Sequence, residues 1–454
     1  HEGKDEACIF LKGAPEVVLD FCVTARQGSQ DEPLDEETRK EARAAADRMA
    51  VRALRVLAIA TVAGVQLDGR AGFSALRGRA TLLGLVGQID PPRTEVAAAV
   101  RECVAAGIRP VMVTGDHKAT GLAVARTLGI ARDGDLAVDG RELERLSDAA
   151  LAERIERISV FARVHPAQKL RIVEAYQKRG EVVAMTGDGV NDAPALARAD
   201  VGVAMGITGT EVAKQAAKIV VTDDNFATIV AAVAEGRLVY RNLQKVILYL
   251  MATSIDEVVV LLLALVLGYP LPLAAVQILW INVVTEGLLT VNLVLEPLEG
   301  DEMHRPPIAR NEPLVARPML WRIAGMVLAS VISTFGWFAG RLAAGVSFPQ
   351  VQAETFTLLA VCQWFNVLNC RSARRSALTL DLLKNPWLVG GLLLSNLLQA
   401  AVIFLPPLGA VFHTVPIGLR SVFGIGAAAS LVLWVEEIRK SVERRREKAA
   451  VPSR

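Results

Sequence analysis

The sequence runs to 454 residues, 52% of them hydrophobic, with a mean hydropathy of +0.36. This excess of apolar residues excludes a wholly water-soluble protein, and the length exceeds one ordinary domain. A formal net charge of +2, with no stretch that interleaves basic and aromatic residues, excludes a nucleic-acid binder.

From the amino end to about Tyr240, short β-rich runs such as RATLLGLVGQI, RPVMVT, SVFARV, EVVAMT and DVGVAM alternate with amphipathic stretches such as RTEVAAAVRECVAAG and AQKLRIVEAYQKRG. That alternation predicts βαβ units and a parallel, Rossmann-like sheet. Cys8, Cys22, Cys103, Cys362 and Cys370 are scattered without CxxC spacing, which predicts reduced thiols. The chain opens on His1 with no apolar leader run, as expected of a piece of a longer protein.

After Tyr240 come six long apolar segments, near 246–267, 271–295, 319–339, 353–370, 386–408 and 418–436. Each approaches the roughly 20 residues that cross a bilayer as a helix. Arg305, Arg310, Arg317 and Arg322 lie between the second and third segments; Arg371, Arg374, Arg375 and Lys384 lie between the fourth and fifth. The other connectors carry few basic residues, so the soluble half and the carboxyl terminus are expected on the cytoplasmic side. The tail from Arg439 holds seven basic and two acidic residues, an anchor with a possible affinity for anionic lipid.

Phosphate-ester chemistry needs carboxylates for a divalent cation, a positive charge against the phosphate, and backbone amides to receive its oxygens. TGDGVNDAPAL, Thr186 to Leu196, follows an apolar strand, so Asp188 and Asp192 fall at the carboxyl edge of the sheet. VMVTGD presents Thr114, Gly115 and Asp116 at a second strand end, and Lys169 opens the helix after SVFARV.

In the first apolar segment Ser254 and Glu257 share a helical face, and Asp256 adds a carboxylate; in the second, Asn282, Thr285 and Glu286 share another. Charged side chains at membrane depth cost about 2.5–3.5 kcal/mol each on insertion scales, so these acids call for a role. Oxygen ligands of this kind suit Ca²⁺, Na⁺ or a carboxylate-borne proton, or serve helix packing by hydrogen bonds.

TGDGVNDAPAL resembles the hinge signature of P-type ATPases, within the haloacid-dehalogenase group of phosphotransferases. The resemblance implies that Asp188 ligates Mg²⁺ with Asn191 and Asp192 in support, that Thr114, Gly115 and Asp116 receive the phosphoryl group, and that Lys169 stabilises its charge. FARVHPAQK is similar to the family's third phosphatase motif and puts Arg163 near the nucleotide. KGAPE and LRVLAIA imply that Lys12 lies beside the adenine of ATP and that Arg55 reaches its phosphates. DPPR, Asp90 to Arg93, is similar to the segment joining nucleotide and phosphorylation domains. YLMATSIDEVV and QILWINVVTEGLLTVNLVLEP resemble the fifth and sixth membrane helices of calcium pumps of the sarcoplasmic-reticulum type. Glu257, Asn282 and Thr285 coincide with ion ligands there; Ser254 and Glu286 stand where an asparagine and a bridging aspartate are usual, Gln363 stands where some relatives have glutamate, and Asp256 is additional.

The resemblance implies four regions: a remnant of a nucleotide-binding domain at 1–80, a haloacid-dehalogenase-like phosphorylation domain at 81–235, a stalk with an all-α bundle of six membrane helices at 236–438, and a basic cytoplasmic tail at 439–454. DKTGT, whose aspartate accepts the γ-phosphate, and TGE do not occur in the sequence. The chain is therefore expected to be the carboxyl-terminal part of a pump in the plasma (inner) membrane, inactive without its amino-terminal half. The implied function is ATP-driven, Mg²⁺-dependent cation transport, Ca²⁺ first, with H⁺, Mn²⁺ or Na⁺/K⁺ transport or a membrane-tethered phosphatase as alternatives. The helix GRLVYRNLQKVILYL, free of Gly and Pro from Arg237 onward, is expected to carry movement from one half to the other.

Overall fold

A computed structural model describes residues 8–51, 54–64, 76–88, 93–379 and 382–450. The chain divides into two compact units, one of residues 1–232 with 303–310, the other of residues 233–302 with 311–454.

The first unit opens with β1 (Cys8–Gly13), α1 (Pro15–Leu19), β2 (Cys22–Gln27), β3 (Gln30–Pro33), α2 (Glu36–Val51), β4 (Arg55–Ala63) and β5 (Ala80–Gln88). These strands form one five-stranded sheet in the order β1-β4-β5-β2-β3. The run RATLLGLVGQI, expected within the parallel series, is mixed: it pairs parallel with β2, from Cys22 opposite Ala80 to Ala25 opposite Leu82, and antiparallel with β4, from Arg55 opposite Gln88 to Thr61 opposite Thr81. Ala80 and Leu82 turn to the core with Ala58, Ala60 and Val62, the alternation of a strand covered on one face.

Next come α3 (Val96–Ala105), β6 (Met112–Thr114), α4 (Lys118–Leu128), β7 (Leu136–Asp139), α5 (Gly140–Arg145), α6 (Asp148–Arg154), β8 (Ile158–Ala162), α7 (Pro166–Lys178), β9 (Ala184–Gly187), α8 (Ala193–Arg198), β10 (Val201–Met205), α9 (Glu211–Ala216) and β11 (Ile219–Val221). Every strand pairing among them is parallel, in two three-stranded sheets, β6-β8-β7 and β11-β10-β9. β8 is buried at all five positions, as expected of a strand covered by helices on both faces.

The 41-residue helix α10 (Phe226–Val266) contributes residues to both units. At about 1.5 Å per residue it extends about 60 Å, twice the hydrocarbon thickness of a bilayer. It is followed by α11 (Ala275–Trp280), a π-helical segment (Ile281–Glu286), α12 (Gly287–Val294), α13 (Arg317–Ala343), α14 (Phe348–Cys370), α15 (Pro386–Phe404), α16 (Pro406–Phe412) and α17 (Leu419–Ala450). Among the described residues five helical stretches are long and apolar enough to cross a membrane.

The expected span near 353–370 is the exception. It is the 23-residue α14, and it carries Glu354, Gln363, Asn366 and Asn369, all buried. Its Phe356, Leu358, Leu359 and Cys362 sit in a core with Ala329 of α13 and Ile425, Ala429 and Val432 of α17. A helix surrounded by other helices meets no lipid, so it tolerates polar side chains that find partners there.

Two arginines counted above as interfacial are buried instead. Arg322 Nε donates to Glu436 Oε1 at 2.5 Å and its Nη2 to the Asn369 carbonyl, while Arg371 Nε donates to Glu296 Oε1 at 2.8 Å. Removing one partner of such a pair strands the other charge. Glu436→Ala is expected to destabilise the second unit by about 3–5 kcal/mol in detergent unfolding, and Arg322→Met with Glu436→Leu to recover most of that loss. An unchanged unfolding midpoint for Glu436→Ala contradicts the assignment.

Candidate functional site

The loop after β9 is built around Asp192. A 3-10 turn at Val190–Asp192 leads into α8, whose Pro194 sits in the first turn where a missing N–H costs nothing. The turn brings Asp192 back under the strand end. Its Oδ2 accepts from the amides of Asp188 and Gly189 at 3.3 and 3.2 Å, and its Oδ1 from Lys169 Nζ at 2.5 Å. Asp192 is buried, so this cation and two amides offset its desolvation. The turn also explains Gly187, where a Cβ would lie 2.6 Å from Asp192 Cβ.

Lys169 reaches Asp192 because α7 starts sharply. Pro166 occupies its first turn, the His165 amide donates to Gln168 Oε1, and the Lys169 amide donates to the His165 carbonyl. Upstream, Arg163 adopts a left-handed backbone (φ 48°), and its amide donates to the Thr114 carbonyl at 2.8 Å. The ends of β6 and β8 are thereby held together. After β6, the Asp116 amide donates to Thr114 Oγ1, and His117 caps α4.

The structure thus joins Lys169, Asp192, Asp188 and Gly189 in one hydrogen-bonded cluster, and Arg163 with Thr114 and Asp116 in another. Asp188, Asn191, Gly115 and Asp116 are exposed. The Asp188 carboxylate has no partner among the described residues and is available to a divalent cation, whereas Asp192 is already taken by Lys169. Lys12 is exposed on β1; of Arg55 only the backbone is described, and of DPPR only Arg93.

In the second unit the Glu257 carboxylate is held from two helical segments. Asn282 Nδ2 donates to its Oε2 at 3.3 Å and Gln363 Nε2 to its Oε1 at 3.1 Å. Within the π-helical segment Thr285 and Glu286 are buried, while Asn282 is exposed and reaches across to Glu257. Glu286 Oε1 and Gln363 Oε1 are buried with no protein partner among the described residues, leaving oxygens free for a cation. Ser254 is exposed and Thr253 takes the buried position beside it. Asp256 faces away from this group: Ser330 of α13 donates to its carboxylate. A carboxylate invites a hydroxyl partner, but neither Ser330 nor the π-helical turn carries a local sequence signal.

Residues 21–200 match the haloacid dehalogenase-like hydrolase family, and 169–233 match a second family of the same description. Residues 270–442 match the family described as cation transporting ATPase, C-terminus. A calcium-transporting ATPase of Bacillus subtilis is 41% identical over 412 residues, 90% of this chain and 46% of that protein. The human calcium-transporting ATPase type 2C member 1 is 37% identical over 447 residues, 98% of this chain and 47% of its own length. A probable cation-transporting ATPase F of Mycobacterium tuberculosis is 40% identical over 447 residues, 96% of this chain and 49% of the relative. The chain spans about half the length of the curated relatives it matches.

The Asp192 turn yields a direct prediction. Gly187→Ala drives a methyl group into the Asp192 side chain and is expected to cost about 1–3 kcal/mol of stability in thermal unfolding. A wild-type midpoint contradicts the packing described.

Proposed function

This chain belongs to the cation-transporting P-type ATPases and is an integral membrane protein, and from that premise we propose that it is the carboxyl-terminal part of an ATP-driven pump working through a phosphoenzyme. An amino-terminal half supplies the phosphorylated aspartate. Asp188 holds Mg²⁺, which neutralises phosphate charge, while Asp192 fixes the Asp188 backbone and anchors Lys169. Thr114, Gly115 and Asp116 receive phosphoryl oxygens, Lys169 stabilises their charge, and Asn191 supports the loop. Lys12, Arg55 and Arg163 bind ATP.

The transported cation binds among Glu257, Asn282, Thr285, Glu286 and Gln363. The observation that carries this reading is a carboxylate, Glu257, held by two amide side chains beside Glu286 Oε1 and Gln363 Oε1, which have no protein partner among the described residues. Both amides donate to the carboxylate, and their oxygens are the hard donors that Ca²⁺ takes. The names of the relatives support Ca²⁺. The basic loops support a cytoplasmic first unit and tail, and export across the plasma membrane is proposed with that orientation. The uninterrupted α10 carries phosphorylation to the cation group.

Two substitutions separate the halves of this proposal. In the pump that contains this chain, Asp188→Asn is expected to lower phosphoenzyme formation from radiolabelled ATP by at least about 100-fold, as loss of one electrostatic stabiliser does. Normal labelling removes the Mg²⁺ role. Glu257→Gln is expected to raise the Ca²⁺ concentration for half-maximal turnover at least about tenfold, for loss of a charged ligand worth about 1.5–3 kcal/mol, and an unchanged Ca²⁺ dependence removes the ion site.

A further inference from the structure

Asp188 is tethered on two sides, and only one of them runs through Asp192. Its carbonyl accepts from the Thr210 amide at 2.8 Å. Thr210 opens α9, with its hydroxyl accepting from the Ala213 amide, and it follows the turn Gly206-Ile207-Thr208-Gly209 that leaves β10. This turn is too short to define itself. It contains no internal ladder, and its backbone approaches neighbouring chain so closely that a Cβ at Gly209 would lie 1.9 Å from the Met205 carbonyl.

Asp224 supplies what the turn lacks. It stands in the left-handed region (φ 50°), an uncommon backbone for any residue but glycine, asparagine and aspartate. In that conformation its two carboxylate oxygens face the turn. Oδ1 accepts from the Ile207 amide at 2.9 Å; Oδ2 accepts from the Thr208 amide and from Thr208 Oγ1, both at 2.7 Å. These donors, the Ile207 amide first, hold the Asp224 carboxyl at about 2. The carbonyl of the same residue accepts from Arg93 Nη1 at 2.7 Å, and the Gly206 amide donates to Val221 on the adjoining strand.

We propose that Asp224 is a positioning residue for Asp188, fixing the 206–210 turn so that the Thr210 amide holds the Asp188 backbone, with Arg93 anchoring Asp224 in turn. The proposal rests on the reading of Asp188 as the Mg²⁺ ligand. Physically, a glycine at 224 adopts the same backbone more cheaply but carries no acceptors. Aspartate is needed for its carboxylate, which closes three hydrogen bonds onto the loop. The same geometry makes Arg93, the last residue of DPPR, the link between the segment after β5 and the cation-binding loop.

Asp224→Gly separates backbone from carboxylate, and Thr208→Val removes a single hydroxyl. In this chain, hydrogen–deuterium exchange in the absence of Mg²⁺ is expected to lose protection across residues 207–210 in Asp224→Gly, and to a smaller extent in Thr208→Val, with the β8 amides unchanged. In the pump that contains the chain, Asp224→Gly is expected to raise the Mg²⁺ concentration for half-maximal phosphoenzyme formation about five- to tenfold, for loss of a charge-assisted tether. The level reached at saturating Mg²⁺ should move far less than that. Wild-type protection of 207–210, or a wild-type Mg²⁺ requirement, in Asp224→Gly overturns the proposal. Asp188→Asn, measured alongside, tells the two readings apart. If it leaves the Mg²⁺ dependence unchanged, the Mg²⁺ role of Asp188 has failed; if it shifts that dependence and Asp224→Gly does not, only the positioning role has failed.

Discussion

Placing a charge out of contact with water costs several kcal/mol unless protein groups replace the lost hydration, and both units of this chain are organised around meeting that cost. In the first unit the buried Asp192 takes one ammonium and two amides, and the turn needed to deliver them also sets the position of Asp188. In the second, Glu257 takes two carboxamides, Arg322 takes Glu436 and two carbonyls, and Arg371 takes Glu296. What differs between these sites is what is left over. The arginines close directly on carboxylates and act as clamps, whereas beside Glu257 the Glu286 Oε1 and Gln363 Oε1 have no protein partner among the described residues.

That difference separates structural from functional charges at membrane depth. Glu354 illustrates the structural kind: Arg341, Trp337 and Ser421 all donate to its carboxylate, so it has little capacity to spare. Asp256 lies between the two. Ser330 engages one of its oxygens while the other is buried without a partner among the described residues, and it does so on the α13 side of α10 rather than with Glu257. Adjacent positions on a helix point about 100° apart, so two consecutive acids serve different neighbours.

Much of this was legible in the sequence because it depends on local chemistry. A strand followed by TGDGVND with a proline two residues on specifies a tight turn and a helix start, and Pro166 does the same for the helix bearing Lys169. Five of the six apolar segments declare membrane helices by length and composition among the described residues. What was not legible depends on partners distant in the chain. The antiparallel pairing of Ala80–Gln88 with β4, the burial of Arg322 and Arg371, and the hydroxyl of Ser330 on Asp256 are each decided by a neighbour between 20 and 114 residues away. The π-helical turn at Ile281–Glu286, in which Asn282 is exposed while Thr285 and Glu286 are buried, is likewise without a local signal. Asp224 escaped notice because an acidic residue in a turn is ordinary until its carboxylate is seen closing on Ile207 and Thr208.

Two chemistries in one chain have meaning as a pump only if they depend on each other. The direct measurement is ATP hydrolysis by the pump that contains this chain, titrated separately with Ca²⁺, Mn²⁺, Na⁺ and K⁺ and repeated across pH. The account predicts hydrolysis that requires Ca²⁺ and is indifferent to Na⁺ and K⁺. Hydrolysis that proceeds at the same rate whichever cation is present contradicts it.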